Sequence, residues 1–462
     1  MSAATQGSGS PELKGHLSLA SVVTFGVSYM APSLVIVLFG VVASASSGTA
    51  PTAFLLATGA MCLTALSYAR MARRYPASGS AYVYARRQLG APVGFLVGWA
   101  VLLDYLFLPM MAWLVQSVYL NAQFPAVPVW VWLIVNAVLT TVVNIIGLNF
   151  TDRLNKAFTA LAVLLVLLFV IYCLIHLAGH RPASYSAPLW NDGTTLAGVS
   201  AAAAVAAYSY LGFDAVTTLA EETRDPARTI PRAVVLVVAI GGLLFAGVAY
   251  VMQLVHPGGQ FANPDIAGYT LSVQVGGQAF ADWTNTATII GGFASGVAVQ
   301  LSTSRLLYTM GRDGVLPRRV FGILNPRTHS PVRGLLVTAA MAAVGLNISL
   351  ATATSFVNFG AFLAFTAVNA CTIAYYIRHR RTEPGVGALG YLLIPALAAC
   401  VTIYLLTQLS GTALTIGVCW LCAGLGWLAW ITRGFSRPTP EVIAGTEATP
   451  PTAAQEPAVT ES

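Results

Sequence analysis

The stretch VLLDYLFLPMMAWL, residues 101–114, places one aspartate, Asp104, in an otherwise apolar run. Tyr105 follows it, and Pro109 lies four residues after Tyr105. Because proline has no N–H, the carbonyl of Tyr105 loses its helical partner. A carboxylate, a phenol and an unpaired carbonyl can all accept hydrogen bonds from an ammonium group, which has donors only. The pattern predicts a site for a cationic amine if no basic residue reaches Asp104.

The composition indicates that this run crosses a membrane. Only 8% of the 462 residues are charged and 56% are hydrophobic, whereas soluble domains carry about 25% charged residues. The sequence therefore predicts an all-α polytopic membrane protein, with about 20 apolar residues for each span. Twelve spans are predicted: 19–44, 50–73, 93–120, 126–148, 155–178, 197–220, 232–256, 283–310, 332–350, 354–377, 388–408 and 411–432.

The basic residues predict the orientation. All but two of the 23 lysines and arginines fall on the side of the two termini; Arg181 lies opposite and Arg305 lies within a span. By the positive-inside rule, both termini are expected in the cytoplasm, with the bundle in the plasma (inner) membrane. The net charge of +7 then reflects topology, and no nucleic-acid partner is expected. Residues 1–18 are predicted to be a cytoplasmic segment, 19–435 the twelve-helix membrane domain and 436–462 a disordered cytoplasmic tail.

Only two acidic residues, Asp104 and Asp214, lie deep within predicted spans. Arg305 lies near the cytoplasmic end of its span and is expected to pair with Glu221 or Glu222 instead of Asp104. Intramembrane carboxylates are candidates for function. The alternative is a structural ion pair or a protonated, hydrogen-bonded acid.

Two predicted spans carry helix-breaking sequences at corresponding positions, five spans apart. They are GVSYMAPS (26–33) in the first span and AYSYLGFDA (207–215) in the sixth. Discontinuous helices at matching places in two halves are typical of secondary transporters built from inverted repeats. Aromatic rings at or near these breaks can stabilise a cation or simply pack; they belong to Tyr29, Tyr208, Tyr210 and Phe213.

Three segments resemble the amino acid–polyamine–organocation (APC) family of transporters: YLGFDAVTTLAEETRDPARTIPRAV (210–234), YPASGSAYVYARRQLG (75–90) and SRLLYTMGRDGVLP (304–317). The resemblance implies twelve transmembrane helices in a 5+5 inverted-repeat fold, with helices 1 and 6 broken. It also implies transport by alternating access.

Within that family, VGWAVLLDYLFLPM resembles the bacterial putrescine importers. The resemblance implies that Tyr105 takes part in substrate recognition, that Tyr208 forms an aromatic gate and that Asp214 is the acid after the break. It also implies proton coupling, with Asp104, Asp214 and Glu222 as the available acids. The break VSYMAPS lacks the glycines with which amino-acid carriers hold a substrate carboxylate, which favours a simple amine.

The predicted function is therefore secondary import of putrescine or a related polyamine. The alternative is an amino-acid importer or an amino-acid/amine exchanger on the same fold. An enzyme is disfavoured, since the sequence has no metal-ligand cluster, G-x-S-x-G motif or P-loop, and no cofactor or metal is expected. A channel is also disfavoured, since no repeated filter segment is present.

The substrate-site candidates are Tyr29, Asp104, Tyr105, Tyr208, Tyr210, Phe213 and Asp214; the gating or coupling candidates are Glu221, Glu222 and Arg305.

Overall fold

The computed structural model of the chain describes residues 17–75, 80–146, 152–325, 330–434 and 436–439. Within these ranges the regular structure is helical, apart from one isolated parallel bridge between Leu17 and Thr223. The α-helices are α1 (Leu19–Tyr29), α2 (Leu34–Ala45), α3 (Ala50–Arg74), α4 (Ser80–Leu89), α5 (Ala91–Gln123), α6 (Val129–Ile146), α7 (Asp152–Gly179), α8 (Leu196–Ala206), α9 (Pro226–Val255), α10 (Ala267–Arg312), α11 (Arg318–Phe321), α12 (Val332–Ala340), α13 (Ala342–Gly345), α14 (Leu350–His379), α15 (Ile394–Thr407) and α16 (Gly411–Ile431).

The described residues form nine helical segments long and apolar enough to cross a membrane, and the bent pair of α1 and α2 makes a tenth. The eighth predicted span lies inside α10, which is kinked at Gly277 and carries buried polar residues such as Asn285 and Gln300. The ninth corresponds to the short apolar helices α12 and α13. These two spans, and hence the count of twelve, stay predictions.

The first predicted span is broken, as its sequence indicates. α1 and α2 are bent by 49° relative to each other. Ala31 has a φ of +45°, in the left-handed region that non-glycine residues rarely adopt. Pro32 follows it, and the residue before a proline is kept out of the right-handed helical conformation. The proline thus explains why the helix stops here.

The sixth predicted span is broken as well. α8 ends at Ala206 and is followed by two 3₁₀ segments, Ala207–Tyr210 and Asp214–Glu222. Between them, Gly212 has a φ of +104°, a conformation that glycine adopts without steric cost. The second 3₁₀ segment has nine residues, whereas such runs rarely exceed about four, and longer ones often mark hinges.

Side chains and backbone from elsewhere hold these breaks. Asn358 of α14 donates from Nδ2 to the carbonyl of Ala204 at 2.7 Å, in the last turn of α8, where carbonyls lack helical partners. The backbone of Leu17 pairs with the end of the second 3₁₀ segment: its N–H donates to Glu222 O at 2.9 Å, and its carbonyl accepts from Arg224 N at 3.1 Å. The entry to α1 is thereby tied to the end of the broken sixth span.

α5 and α14 pack against each other near the centre of the bundle, and α3 packs against α9. In the most apolar window of α14, 72% of residues are buried, against 17% in α16. The exposed residues of the outer helices are largely apolar, such as Leu167 on α7 and Val418 on α16. Apolar exposure of this kind is expected of helices that face lipid. The chain is a multi-pass membrane protein with α14 in its interior.

Candidate substrate site at the two helix breaks

Asp104 lies in α5, and its Oδ1 is buried without a hydrogen-bond partner among the described residues. No described lysine, arginine or histidine forms an ion pair with it. α14 approaches α5 closely at this point, because Gly360 has no side chain. A Cβ there would lie 2.5 Å from Ala100 O and 3.1 Å from Asp104 Cβ. The backbone and Cβ of Asp104 are therefore packed tightly against α14, while its carboxylate has no partner among the described residues.

The carbonyl of Tyr105 is not unpaired, and that prediction was wrong. Thr303 of α10 donates a hydrogen bond from its Oγ1 to this carbonyl at 2.8 Å. The hydroxyl replaces the N–H that Pro109 lacks, as Ser and Thr often do beside proline in membrane helices. The acceptors left for a ligand on this turn are the carboxylate of Asp104 and the phenol of Tyr105.

Asp214 begins the second 3₁₀ segment, and its carboxylate lies against the backbone N–H groups of Gly212 and Ala215. Its negative charge also interacts with that of Asp104. Two carboxylates from separate elements therefore interact electrostatically inside the bundle. Like charges at such a place repel, and in a low-dielectric interior the repulsion is strong. A dication between them, or a proton on one of them, relieves it.

Three of the predicted aromatic residues interact electrostatically with Asp104. Tyr29, Tyr105 and Tyr208 each lie within electrostatic range of its carboxylate. The ring of Tyr29 packs so closely on Gly212 that a side chain there would collide with it. Tyr29 is nevertheless 42% exposed, so its ring borders open space. The arrangement combines negative charge, phenol groups and aromatic surface, which suits a cation with an apolar stem.

The other two aromatic candidates are engaged elsewhere. Tyr210 is fully buried, and its hydroxyl lies 2.6 Å from Thr58 Oγ1 and 3.1 Å from Phe54 O, both on α3. Phe213 is also fully buried, with ring centroids 5.5 Å from Tyr68 and 5.1 Å from Phe365. Both side chains pack around the second break and do not belong to the polar group of residues near Asp104.

The gating candidates are only partly described. The side chain of Glu221 lies outside the described residues. Arg305 is exposed and forms no ion pair with a described side chain. Its expected ion pair with Glu222 is therefore absent from the described part of the chain. Glu222 is half-buried, and its backbone carbonyl accepts from Leu17. Among the described residues, no group of three or more His, Cys, Asp or Glu side chains could hold a metal ion.

Sequence reasoning missed three residues that shape the site: Thr303, Gly360 and Asn358. Each acts on a position more than 150 residues away in the chain or on another helix. None has a local signal, because threonine, glycine and asparagine are common in membrane helices. Only the break motifs themselves indicated where such partners would be needed.

Broken helices inside a multi-pass bundle are the arrangement of secondary transporters. The model of the amino acid permease family matches residues 18–432, and the chain belongs to this family. It is a membrane transporter, not an enzyme.

Three relatives show the range of this family. The chain is 35% identical to the low-affinity putrescine importer PlaP of Escherichia coli K12, over 93% of this chain and 96% of that protein. It is 27% identical to the methylthioribose transporter and 26% identical to the branched-chain amino acid permease BcaP of Bacillus subtilis. Each of these two alignments covers 90% of this chain and 93% of the relative.

Proposed function

We propose that the protein imports putrescine or a closely related diamine across the bacterial inner membrane. The observation that carries this proposal is the buried, unpaired Oδ1 of Asp104 within electrostatic range of a second carboxylate, Asp214. An unpaired buried charge costs several kcal/mol. A substrate with two ammonium groups joined by an alkyl chain offsets that cost at both acids.

In this proposal Asp104 binds one ammonium group, and the phenol of Tyr105 orients it. Asp214 binds the other ammonium group beside the second break. The rings of Tyr29 and Tyr208 contact the methylene chain and add cation–π stabilisation. The 35% identity to a putrescine importer over nearly the whole chain supports this choice of substrate.

An amino acid is the alternative substrate, and the first break argues against it. A helix N-terminus can bind a carboxylate through its free N–H groups. Here three of the first four N–H groups of α2 are used locally: Leu34 donates to Ala31 O at 2.9 Å, and Ile36 and Val37 donate to Ser33 O at 3.0 and 3.3 Å. Pro32 adds no N–H. The break thus offers few amides to a substrate carboxylate.

The proposed architecture is the twelve-helix, 5+5 inverted-repeat bundle over residues 19–435, with both termini cytoplasmic. Alternating access would move the two broken spans together, since Leu17 ties the entry of α1 to the end of the second 3₁₀ segment. Proton coupling would use Asp104, Asp214 or Glu222, because two neighbouring acids that cannot both be charged readily bind a proton.

Uptake into proteoliposomes tests the proposal. Purified wild-type protein is expected to accumulate labelled putrescine under an imposed inward proton gradient. Unlabelled cadaverine should compete better than leucine or arginine. Asp104→Asn should reduce uptake by about 100-fold, whereas Asp192→Asn, which alters an exposed loop acid, should leave it unchanged. Wild-type-like putrescine uptake by a folded Asp104→Asn protein, or stronger competition by an amino acid, would overturn the assignment.

A further inference from the structure

A second polar feature lies at the basic end of α3, and its lining shares no residue with the candidate substrate site. A hollow of about 490 Å³ opens there between α3, α9 and the π-helical turn Leu389–Leu393 that precedes α15. It is lined by Leu66, Ala69, Arg70, Arg73, Pro231, Arg232, Val235, Leu236 and Tyr391. The lining combines three arginines with an apolar wall and contains no acidic residue.

The three arginines have unmet hydrogen-bonding capacity. The guanidinium of Arg70 lies over the ring of Tyr391, 5.7 Å from its centroid, and its Nη1 is buried without a hydrogen-bond partner. Arg73 and Arg232 are exposed and form no ion pair with a described side chain. Arg70 and Arg73 also repel each other electrostatically. The hollow therefore favours an anion, and guanidinium groups match phosphate oxygens in geometry.

The apolar wall of the hollow continues onto a surface that faces lipid. Leu236 is 41% exposed, and one and two turns further along α9 Ile240 and Leu243 are 42% and 80% exposed. Their spacing of four and three residues places them on one face of the helix. An anion bound by the arginines thus lies at the end of an apolar stripe on the bundle surface.

We propose that this hollow binds an anionic phospholipid. Its phosphate would lie between Arg70, Arg73 and Arg232, and its acyl chains would lie along the stripe of Leu236, Ile240 and Leu243. Basic pockets between transmembrane helices bind anionic head groups in this way. The proposal rests on the multi-pass assignment and not on the identity of the transported substrate.

The test uses full-length protein purified in detergent and measures lipid binding, not transport. Phosphatidylglycerol, phosphatidylcholine and inorganic phosphate are added separately, and thermal unfolding is followed by scanning fluorimetry. Bound lipid is counted by native mass spectrometry. The double variant Arg73→Gln/Arg232→Gln removes two exposed arginines of the hollow. Arg381→Gln, at an exposed arginine after α14 and outside the hollow, is the matched control.

Phosphatidylglycerol is expected to raise the unfolding temperature of the wild type and of Arg381→Gln. Each arginine removed should weaken its binding about fivefold, so roughly twenty-five-fold for the double variant. The proposal is overturned if the folded double variant binds phosphatidylglycerol as the wild type does, or if phosphatidylcholine stabilises equally well. It is also overturned if inorganic phosphate gives the full effect, which would indicate a site for a soluble anion.

Discussion

Glu383 and Asp104 are two half-buried carboxylates that lie beside different parts of α14, and they differ in their hydrogen-bond and ion-pair partners. Glu383 follows the carboxyl end of the helix. It pairs with Arg74 at 2.7 Å and accepts hydrogen bonds from the Tyr375 hydroxyl at 2.9 and 2.8 Å. Asp104 lies against the middle of α14 at Gly360, and its Oδ1 has no partner among the described residues.

The difference separates an acid that is neutralised within the fold from the acid that we propose as a substrate ligand. The chain supplies a cation and a phenol for Glu383, so its charge is neutralised within the fold. It supplies only nearby phenols and a second acid for Asp104. A buried carboxylate without partners is costly, and under the proposed function an ammonium group of the substrate offsets that cost.

Exchanging each acid for its amide is the strongest test of this comparison. Asp104→Asn should reduce putrescine uptake by about 100-fold, as expected when one member of a buried charge pair is lost. Its thermal stability should be unchanged or higher, because an unpaired buried charge is removed. Glu383→Gln should do the reverse: uptake per folded molecule stays within about twofold, and stability falls by about 1 kcal/mol, as for other partly exposed ion pairs.

The measurement is uptake and thermal unfolding of both variants in the same preparation. The comparison fails if Glu383→Gln loses uptake at wild-type stability. It also fails if Asp104→Asn unfolds at a much lower temperature, which would make Asp104 structural.

The sequence predicts local features of this site well and its long-range partners poorly. Pro32 and Gly212 indicate the two breaks, since proline restricts the residue before it and glycine adopts a positive φ without steric cost. The prediction that no basic residue pairs with Asp104 follows from counting the basic residues within the spans. The bond from Thr303 to the Tyr105 carbonyl spans 198 positions, and no local pattern indicates it. For the same reason the sequence could not show that Tyr210 turns its hydroxyl towards α3.

A glycine substitution at the second break should have the next largest effect. Gly212→Ala places a side chain on a residue with φ of +104° and against the ring of Tyr29. The positive φ costs about 1–2 kcal/mol, and the collision must displace the ring. Uptake should fall by about tenfold. Gly247→Ala on α9, where a Cβ meets no atom within 4 Å, is the control and should transport normally. Equal uptake by both variants would show that the break tolerates a side chain.

Two tyrosine substitutions separate the substrate-facing side of the site from its packing side. Tyr105→Phe should raise the KM for putrescine about fivefold, because a typical hydrogen bond contributes about 1 kcal/mol. Its stability should not change. Tyr210→Phe loses the bonds to Thr58 and Phe54, so stability should fall by about 1 kcal/mol at an unaltered KM. The assignment is reversed if Tyr210→Phe alters the KM and Tyr105→Phe does not.

A third carboxylate, Asp265, lies at the other end of α14 and is an intermediate case. It is half-buried in the loop between α9 and α10. Burial raises its pKa, and the backbone N–H of Leu350, the first residue of α14, partly offsets that rise. Because the folded state holds the proton more tightly than the unfolded state, stability should decrease as the pH rises through the aspartate range. Asp265→Asn should remove this decrease. Its unfolding temperature should match the wild type at pH 3.5 and be slightly higher at pH 7.5. A variant less stable than wild type at pH 7.5 would mean that the Leu350 bond outweighs burial, which would place Asp265 with Glu383 among the satisfied acids.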